Sequence, residues 1–236
     1  DESKYRHFLG GYLAAYTLPT PDLVPGRMLT YLAVDRLAGC YPVWQTGEGR
    51  ALFLFRSRAE LQYDHRDVAE QRRLLRVLYT AAAPEIQQLL TDADAPDFYL
   101  DSISQIRMTT WSRGRVSLVG DAAYSPGPAV GGGTTIATIG AYVLAHRLAT
   151  TTDHTAAFRA YEADMHDLIT RSRTLGPTLM KTLVPSSGIQ VALIPLLTRL
   201  AVSAPTRLRR RLMAAGSRPL RVLGGTTLPE PTVTTP

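Results

Sequence analysis

The sequence predicts an α+β protein in which a mixed or antiparallel sheet precedes a helical C-terminal part. Three observations predict this order. Short apolar runs between turn residues fill residues 9–56, apolar positions recur at helical spacing in residues 66–91, and the pattern after Thr134 is almost wholly helical. The chain has 236 residues, of which 45% are hydrophobic and 19% charged, as is typical of a globular protein with a sizeable core.

Four apolar runs are the candidate strands, and they cover residues 13–18, 28–34, 40–44 and 51–55. Proline and glycine turns separate them, so we expect hairpin connections and antiparallel pairing. A later alternating run, which ends at Trp111, predicts a strand that faces a partly polar cavity. The side chains on that face are Phe98, Leu100, Ser102, Ser104, Ile106 and Met108.

The helices are predicted from apolar spacing and from start signals, with Pro84 and Asp153 expected to begin two of them. The segment after Thr134 is apolar on all sides, which predicts a buried helix. From Gly176 onward we expect short elements interrupted by prolines, and a loose tail over residues 224–236. The interrupting prolines are Pro177, Pro185, Pro195, Pro205 and Pro219. The helix after Asp153 is expected to bury Phe158, Tyr161, Met165, Leu168 and Ile169.

The net charge of +6 comes from residues 205–222, where six arginines occur without an acidic residue, and the rest of the chain balances 20 basic against 20 acidic residues. No aromatic residues alternate with these arginines, so we expect a solvated helix face and no nucleic-acid site. The apolar run 189–204 contains Pro195 and Arg199 and is too short to span a membrane. We expect it to pack on the body of the protein, with a membrane surface as the alternative.

Two residue types bear on location and on metal binding. None of the five histidines has the spacing of a metal-binding motif, so no metal site is expected. The single cysteine, Cys40, excludes an intramolecular disulfide and fits a reducing compartment, which favours the cytoplasm.

Residues 114–133 carry the strongest chemical signal. An apolar strand over 116–119 leads into Gly120 and Asp121, and a loop with two prolines and four glycines then leads into the helix at Thr134. Asp121 can accept hydrogen bonds from hydroxyl groups, the glycines let backbone N–H groups approach a ligand, and the helix N-terminus favours negative charge. The alternative role for Asp121 is a loop or helix cap. The sequence contains no G-x-G-x-x-G or Walker A motif for holding a dinucleotide's phosphates.

This segment resembles the second flavin-binding motif of FAD-dependent aromatic hydroxylases, the single-component flavoprotein monooxygenases of the para-hydroxybenzoate hydroxylase type. Segments 12–16, 51–56 and 97–108 are similar to actinobacterial members that tailor polyketides, and the resemblance covers about residues 5–175. The motif residues are Gly114-Arg-Val-x-Leu-Val-Gly-Asp-Ala-Ala-Tyr124, then Pro128, Gly131, Gly133, Ala137 and Ala141.

The resemblance implies a role for each part of the chain. Residues 1–112 would form a substrate-binding sheet domain, residues 113–175 a flavin-contacting strand, loop and helix, and residues 176–236 a C-terminal helical segment with a tail. The family's N-terminal Rossmann half would precede Asp1 or occupy a separate chain. The implied cofactor is FAD, NAD(P)H is the implied co-substrate, and an aromatic or polyketide-like small molecule is the implied substrate.

The resemblance also assigns cofactor-binding residues. Asp121, after Gly120, corresponds to the aspartate that hydrogen-bonds the ribityl chain of FAD, and Pro128 corresponds to the proline beside the isoalloxazine ring. Gly131, Gly132, Gly133 and Thr134 correspond to the backbone that reaches the pyrimidine edge of the ring. Catalytic residues are not assigned. The chain departs from the family pattern at Tyr124, where many members have histidine, at Thr135, where asparagine is frequent, and at Gly140, where an acidic residue is frequent.

Two other function classes stay open. A flavin-free homologue could shape its substrate for a redox-neutral step such as a cyclisation, with a pocket formed by Trp44, Tyr99, Tyr12 and Phe55. Alternatively, the chain could be a non-catalytic binding protein that docks through its arginine-rich segment.

Overall fold

The computed structural model describes residues 2–18, 24, 26–127 and 132–206. These residues form two compact units. The first unit consists of the described parts of 1–9, 104–180 and 200–236, and the second consists of those of 10–103 and 181–199. Helices and an antiparallel sheet are both present, so the predicted α+β class is confirmed.

A five-stranded sheet, in the order β2-β3-β4-β1-β5, forms the centre of the second unit. Leu54 lies opposite Leu13 on one neighbouring strand and opposite Leu37 on the other, in antiparallel register. Three strands begin earlier than predicted, and Trp44 lies in the turn after β3 with 84% of its surface exposed. The strands are β1 (Arg6–Leu18), β2 (Leu29–Ala33), β3 (Arg36–Val43), β4 (Glu48–Arg56) and β5 (Tyr99–Ile106).

Helices α1 (Val68–Leu78) and α2 (Pro84–Thr91) pack on one face of this sheet, and α2 begins at the predicted proline. Two buried tyrosines join helix and sheet. The Tyr79 hydroxyl lies 2.8 Å from the carbonyl oxygens of Leu37 and Leu54, and the Tyr16 hydroxyl donates to Leu89 O at 2.6 Å. Burial raises the pKa of both phenols. The buried side chains on this face include Tyr12, Ala14, Tyr16, Ala38, Cys40, Ala51, Phe53 and Phe55.

Strand β5 does not keep one buried face along its length. Phe98 and Leu100 are buried, but the next buried residues are Ile103 and Gln105, whose positions alternate onto the opposite face of the strand. The change of face occurs between Leu100 and Ile103, within the second unit and just before the boundary between the units, which falls after Ile103.

The first unit contains a two-stranded ribbon and most of the helical structure. Only the first half of the predicted strand 116–119 pairs, as β7 (Val116–Ser117) against β6 (Ser112–Arg113). Helices α3 (Asp121–Tyr124), α4 (Gly133–Thr150) and α5 (His154–Leu183) follow. The predicted cap is confirmed, because Asp153 accepts hydrogen bonds from the backbone N–H groups of Thr155 and Ala156.

The buried faces of α4 and α5 differ in how well they match the sequence pattern. All five apolar positions predicted for α5 are buried. Helix α4 was expected to be buried all round, but among its residues only Ile136, Gly140 and Val143 are buried, so that prediction is wrong. Its apolar composition reflects one packed face together with small side chains on the exposed side, such as Ala141.

Two prolines that were expected to interrupt the C-terminal part do not do so. Helix α5 continues through Pro177, and α6 (Gly188–Ser203) contains Pro195, whereas Pro185 lies between the two helices as predicted. No residue of α6 is fully buried, and its half-buried residues are Val191, Ile194 and Ala201. The arginine-rich segment from Arg207, Pro219 and the predicted tail lie outside the described residues.

In the part of the chain that the structure describes, no helix combines the length and apolarity that a membrane span requires. Within the same residues, no group of three or more His, Cys, Asp or Glu side chains is placed to hold a metal ion.

A hydrogen-bonded cluster in the second unit should make stability depend on pH. Thr17 donates to Asp97 from its hydroxyl and, at 3.0 Å, from its backbone N–H, and Arg50 Nη1 donates to Asp97 Oδ2 at 2.6 Å. These bonds hold the pKa of Asp97 below its usual value. A lowered pKa in the folded state stabilises the fold above the unfolded value of about 3.9, and this contribution is lost as the pH falls through the folded value.

Asp97→Asn should therefore lower the free energy of unfolding by at most about 1 kcal/mol at pH 7, because the carboxylate is 41% exposed and water screens the interaction. The difference from wild type should shrink below about pH 4 and vanish near about pH 2. Urea unfolding at several pH values measures it, with Asp167→Asn as the control for an exposed carboxylate in the first unit. A difference that grew as the pH fell would contradict this assignment.

Candidate functional site

Gly120 shapes the turn that presents Asp121. Its backbone has φ +69° and ψ −141°, a conformation that L side chains rarely adopt, and a Cβ here would lie 3.1 Å from the Cβ of Ala137. Helix α3 begins at the next residue, with the N–H groups of Ala123 and Tyr124 donating to Gly120 O at 3.0 Å. The side chain of Asp121 is exposed, and no described residue donates a hydrogen bond to its carboxylate. The described residues therefore give no support to the cap role.

The start of α4 lies beside this carboxylate. A Cβ placed on Gly133 would lie 3.7 Å from Asp121 Oδ1. Gly132, at the N-cap position, has no side chain with which to cap the helix, and Thr134 is exposed. The N-terminus of the 18-residue helix α4 therefore lies beside the exposed carboxylate of Asp121 in the first unit.

The structure thus brings together five of the seven predicted cofactor-binding residues. Gly120 and Asp121 form the turn on one side, and Gly132, Gly133 and Thr134 form the helix start on the other. Pro128 and Gly131 lie outside the described residues.

A tyrosine pair holds α3 against α4 and α5. The Tyr161 hydroxyl lies 3.0 Å from the Tyr124 hydroxyl and 3.1 Å from Leu118 O, so Tyr161 can accept from Tyr124 and donate to the carbonyl. Burial is the main cause that raises the pKa of Tyr161. Trp111 lies against both rings, with centroid distances of 4.8 and 5.5 Å.

Gly140 makes room for this pair. A Cβ on Gly140 would overlap the Tyr124 hydroxyl. Two of the positions at which the sequence departs from the family pattern, Tyr124 and Gly140, are therefore in direct contact, and the tyrosine needs a residue without a side chain opposite it. The third departure, Thr135, is exposed near the start of α4.

The alternative pocket does not form in the second unit. Tyr12 and Phe55 stack on each other inside the core at a centroid distance of 5.2 Å. Trp44 and Tyr99 are exposed by 84% and 51%. The four aromatic residues therefore do not line a common pocket, because two of them are core residues of the helix-covered sheet face.

The sequence analysis predicted Tyr161 as a buried position but not its hydrogen bond to Tyr124, and it missed Glu162 and Gln105. The Glu162 carboxylate accepts from the backbone N–H of Trp111 at 2.8 Å, and Gln105 is fully buried beside the loop that follows α3. A glycine inside a helix is a signal that another part of the chain packs closely against the helix there. Gly140 and Gly176 therefore indicated two such close contacts. Nothing in the local pattern indicates their partners.

No protein-family model matches the sequence. A flavin-dependent monooxygenase from an unknown prokaryotic organism is 36% identical over 169 residues, which cover 71% of this chain and 44% of that protein. The uncharacterized protein Rv1260 of Mycobacterium tuberculosis is 36% identical over 176 residues, or 74% of this chain and 47% of that protein. The chain is a relative of the flavin-dependent monooxygenases. It spans about half the length of the curated relatives it matches.

Solved structures agree with this relation. Tetracycline destructase Tet(55) superposes with a TM-score of 0.77 at 29% identity, covering 98% of this chain and 58% of that one. HpxO of Klebsiella pneumoniae, in complex with FAD and uric acid, gives a TM-score of 0.63 at 25% identity, covering 79% of this chain and 48% of that one. The predicted resemblance of the chain to flavin-dependent monooxygenases is confirmed.

The contact between Tyr124 and Gly140 gives a stability prediction. Gly140→Ala should lower the free energy of unfolding by about 1–3 kcal/mol, because the new methyl group displaces a buried hydroxyl. Adding Tyr124→Phe should recover part of this loss, since it removes the overlapping oxygen. Thermal and urea unfolding measure both effects.

Gly188→Ala is the matched control, because a Cβ at this helical glycine would meet nothing within 4 Å. If Gly140→Ala were as stable as this control, the close contact would not exist as described.

Proposed function

We propose that this chain holds the ring end of the flavin and the substrate in an FAD- and NAD(P)H-dependent monooxygenase that hydroxylates an aromatic or polyketide-like small molecule. The observation that carries the proposal is the exposed Asp121 carboxylate beside the N-terminus of α4, in the segment that carries the family motif. When bound, flavin supplies the redox chemistry, and the protein supplies placement and electrostatics.

The residues fit the ribityl chain and ring of a flavin. Asp121 offers acceptor oxygens to ribityl hydroxyl groups, and Gly133 adds no side chain that would block their approach. Helix N–H groups at Gly133 and Thr134 would favour negative charge on the pyrimidine edge of the ring. The proposed cofactor-binding set is Gly120, Asp121, Pro128, Gly131, Gly132, Gly133 and Thr134.

The second unit offers a surface suited to an apolar substrate. Helices cover one face of its sheet, while Leu13, Ala15 and Leu52 on the opposite face are only half-buried. On the same face, the next cross-strand pair is Thr17 with Arg50, and both of these side chains are polar. An extended apolar face with a polar end suits an aromatic ring system that bears hydroxyl or keto groups.

The proposal extends to a partner and a location. A Rossmann half, supplied as a separate chain or as part of a longer protein, would hold the remainder of FAD. The reduced, buried Cys40 suits a cytoplasmic setting.

Co-expression of this chain with the part of Rv1260 outside its matched segment tests the partner. We expect a yellow complex that oxidises NAD(P)H. A colourless complex, under conditions in which the corresponding parts of Rv1260 themselves recombine, would contradict the proposal.

Asp121→Asn tests the site directly. The 236-residue chain should bind riboflavin and FAD, and the substitution should weaken both affinities by about tenfold, because it removes a charged hydrogen-bond acceptor. Flavin fluorescence titration measures the dissociation constants. Asp167→Asn, which removes an exposed carboxylate from α5, should leave them unchanged.

Equal affinities for Asp121→Asn and wild type would remove Asp121 from the site. A wild-type chain that converted a substrate with neither flavin nor NAD(P)H present would favour the redox-neutral alternative.

A further inference from the structure

We propose that Gln105 is the positioning residue of the flavin-facing loop, because its buried side-chain amide holds that loop to β5 and α5. The loop in question is the described segment Ser125, Pro126 and Gly127, which follows α3 directly. The inference rests on the proposed function, since it takes the turn at Asp121 and the segment after it as part of the flavin site.

Every polar atom of the Gln105 side chain has a partner, although the residue is completely buried. Its Nε2 donates to Pro126 O at 3.0 Å and to Arg173 O at 2.8 Å. Its Oε1 accepts from Arg107 Nε at 3.1 Å and Nη2 at 2.8 Å. A guanidinium can only donate, so Arg107 fixes which end of the amide faces the loop.

The hydrogen bond from Gln105 to Arg173 O replaces a helix hydrogen bond that Pro177 cannot make. In an uninterrupted α-helix the N–H of residue 177 would donate to the carbonyl of residue 173, but proline has no N–H. Helix α5 nevertheless continues through Pro177, and Gln105 supplies the missing donor. Gly176 permits this approach, because a Cβ there would lie 2.6 Å from Gln105 Nε2 and 3.2 Å from Pro126 O.

The same amide aligns the loop along the end of β5. Ile106 N donates to Ser125 O at 3.0 Å, and Gln105 donates to Pro126 O. Gly127 has φ +86°, and a Cβ on it would lie 3.1 Å from Ser104 O. Three consecutive loop residues therefore lie against three consecutive strand residues, with Asp121 four residues before the first of them.

No other residue type provides this combination in the same space. Methionine matches glutamine in length but has no N–H group, so it would leave the carbonyls of Pro126 and Arg173 unpaired. Ionised glutamate also lacks the two donors. The structure therefore gives Gln105 two separable tasks, one toward α5 and one toward the loop.

Pro177→Ala separates these tasks. It returns the backbone donor to Arg173, so in this background Gln105→Met keeps Arg173 O paired, leaves Pro126 O unpaired and removes the acceptor of the Arg107 guanidinium. The experiment uses the 236-residue chain as wild type, Gln105→Met, Pro177→Ala and the double variant. It measures the thermal midpoint, the riboflavin dissociation constant, and hydrogen exchange of the peptide that contains residues 120–127.

Gln105→Met should lower the thermal midpoint, speed exchange in the loop peptide and weaken riboflavin binding by about tenfold. Pro177→Ala alone should leave riboflavin binding unchanged. The double variant should recover much of the thermal midpoint, but its riboflavin affinity should stay about tenfold weak and its loop exchange fast. Gln88→Met, which removes an exposed amide from α2, should match wild type.

Recovery of riboflavin affinity together with the thermal midpoint in the double variant would overturn the proposal and leave Gln105 a purely structural residue. If wild type bound no flavin, the proposed function would fail, while slow loop exchange in the double variant would still overturn the role of Gln105. Should both methionine variants fail to fold, Arg107→Met frees the amide to rotate and should weaken riboflavin binding in the same direction. Unchanged riboflavin affinity there would count against the proposal.

Discussion

The absence of a side chain at Gly140 is the constraint on which the arrangement of the first unit depends. The Tyr124 hydroxyl occupies that space and reaches Tyr161, so the short helix α3 is held between α4 and α5. Because Asp121 begins α3, the same contact helps to set its carboxylate beside Gly133 at the start of α4. The departures from the family pattern at Tyr124 and Gly140 are thus one compensated exchange, in which a larger ring on α3 requires bare backbone on α4.

The second unit meets a different requirement by burying tyrosines on one face of a sheet. The hydroxyls of Tyr16 and Tyr79 reach backbone carbonyl oxygens, so these large rings are buried without an unpaired polar atom. Helices cover that face, and the opposite face carries half-buried apolar side chains such as Leu13 and Leu52. We propose that the exposed carboxylate in the first unit serves flavin and that the half-buried apolar face in the second serves the substrate.

The parts of the fold that depend on local signals could be predicted from the sequence. Pro84 marks a helix start through its fixed backbone and missing N–H, and Asp153 marks one through its side-chain carboxylate, which accepts from backbone N–H groups. The buried face of α5 follows from its 3-4 spacing. The course of α5 through Pro177 could not be predicted, because the compensating donor, Gln105, lies 68 residues away along the chain. The change of buried face in β5 was missed because the alternating pattern from Phe98 to Met108 continues without a break. At the candidate site, residue chemistry alone indicated a polar ligand, and only the family resemblance indicated flavin.

The most direct test of the account is the chemical-shift change of backbone amides when riboflavin is added to the ¹⁵N-labelled chain. We expect the largest chemical-shift changes at Asp121 and at Gly132, Gly133 and Thr134, while amides in the middle of α5, such as that of Asp167, should not shift. Saturable flavin binding that left the start of α4 unshifted would contradict the assignment of this turn and helix N-terminus as the flavin site.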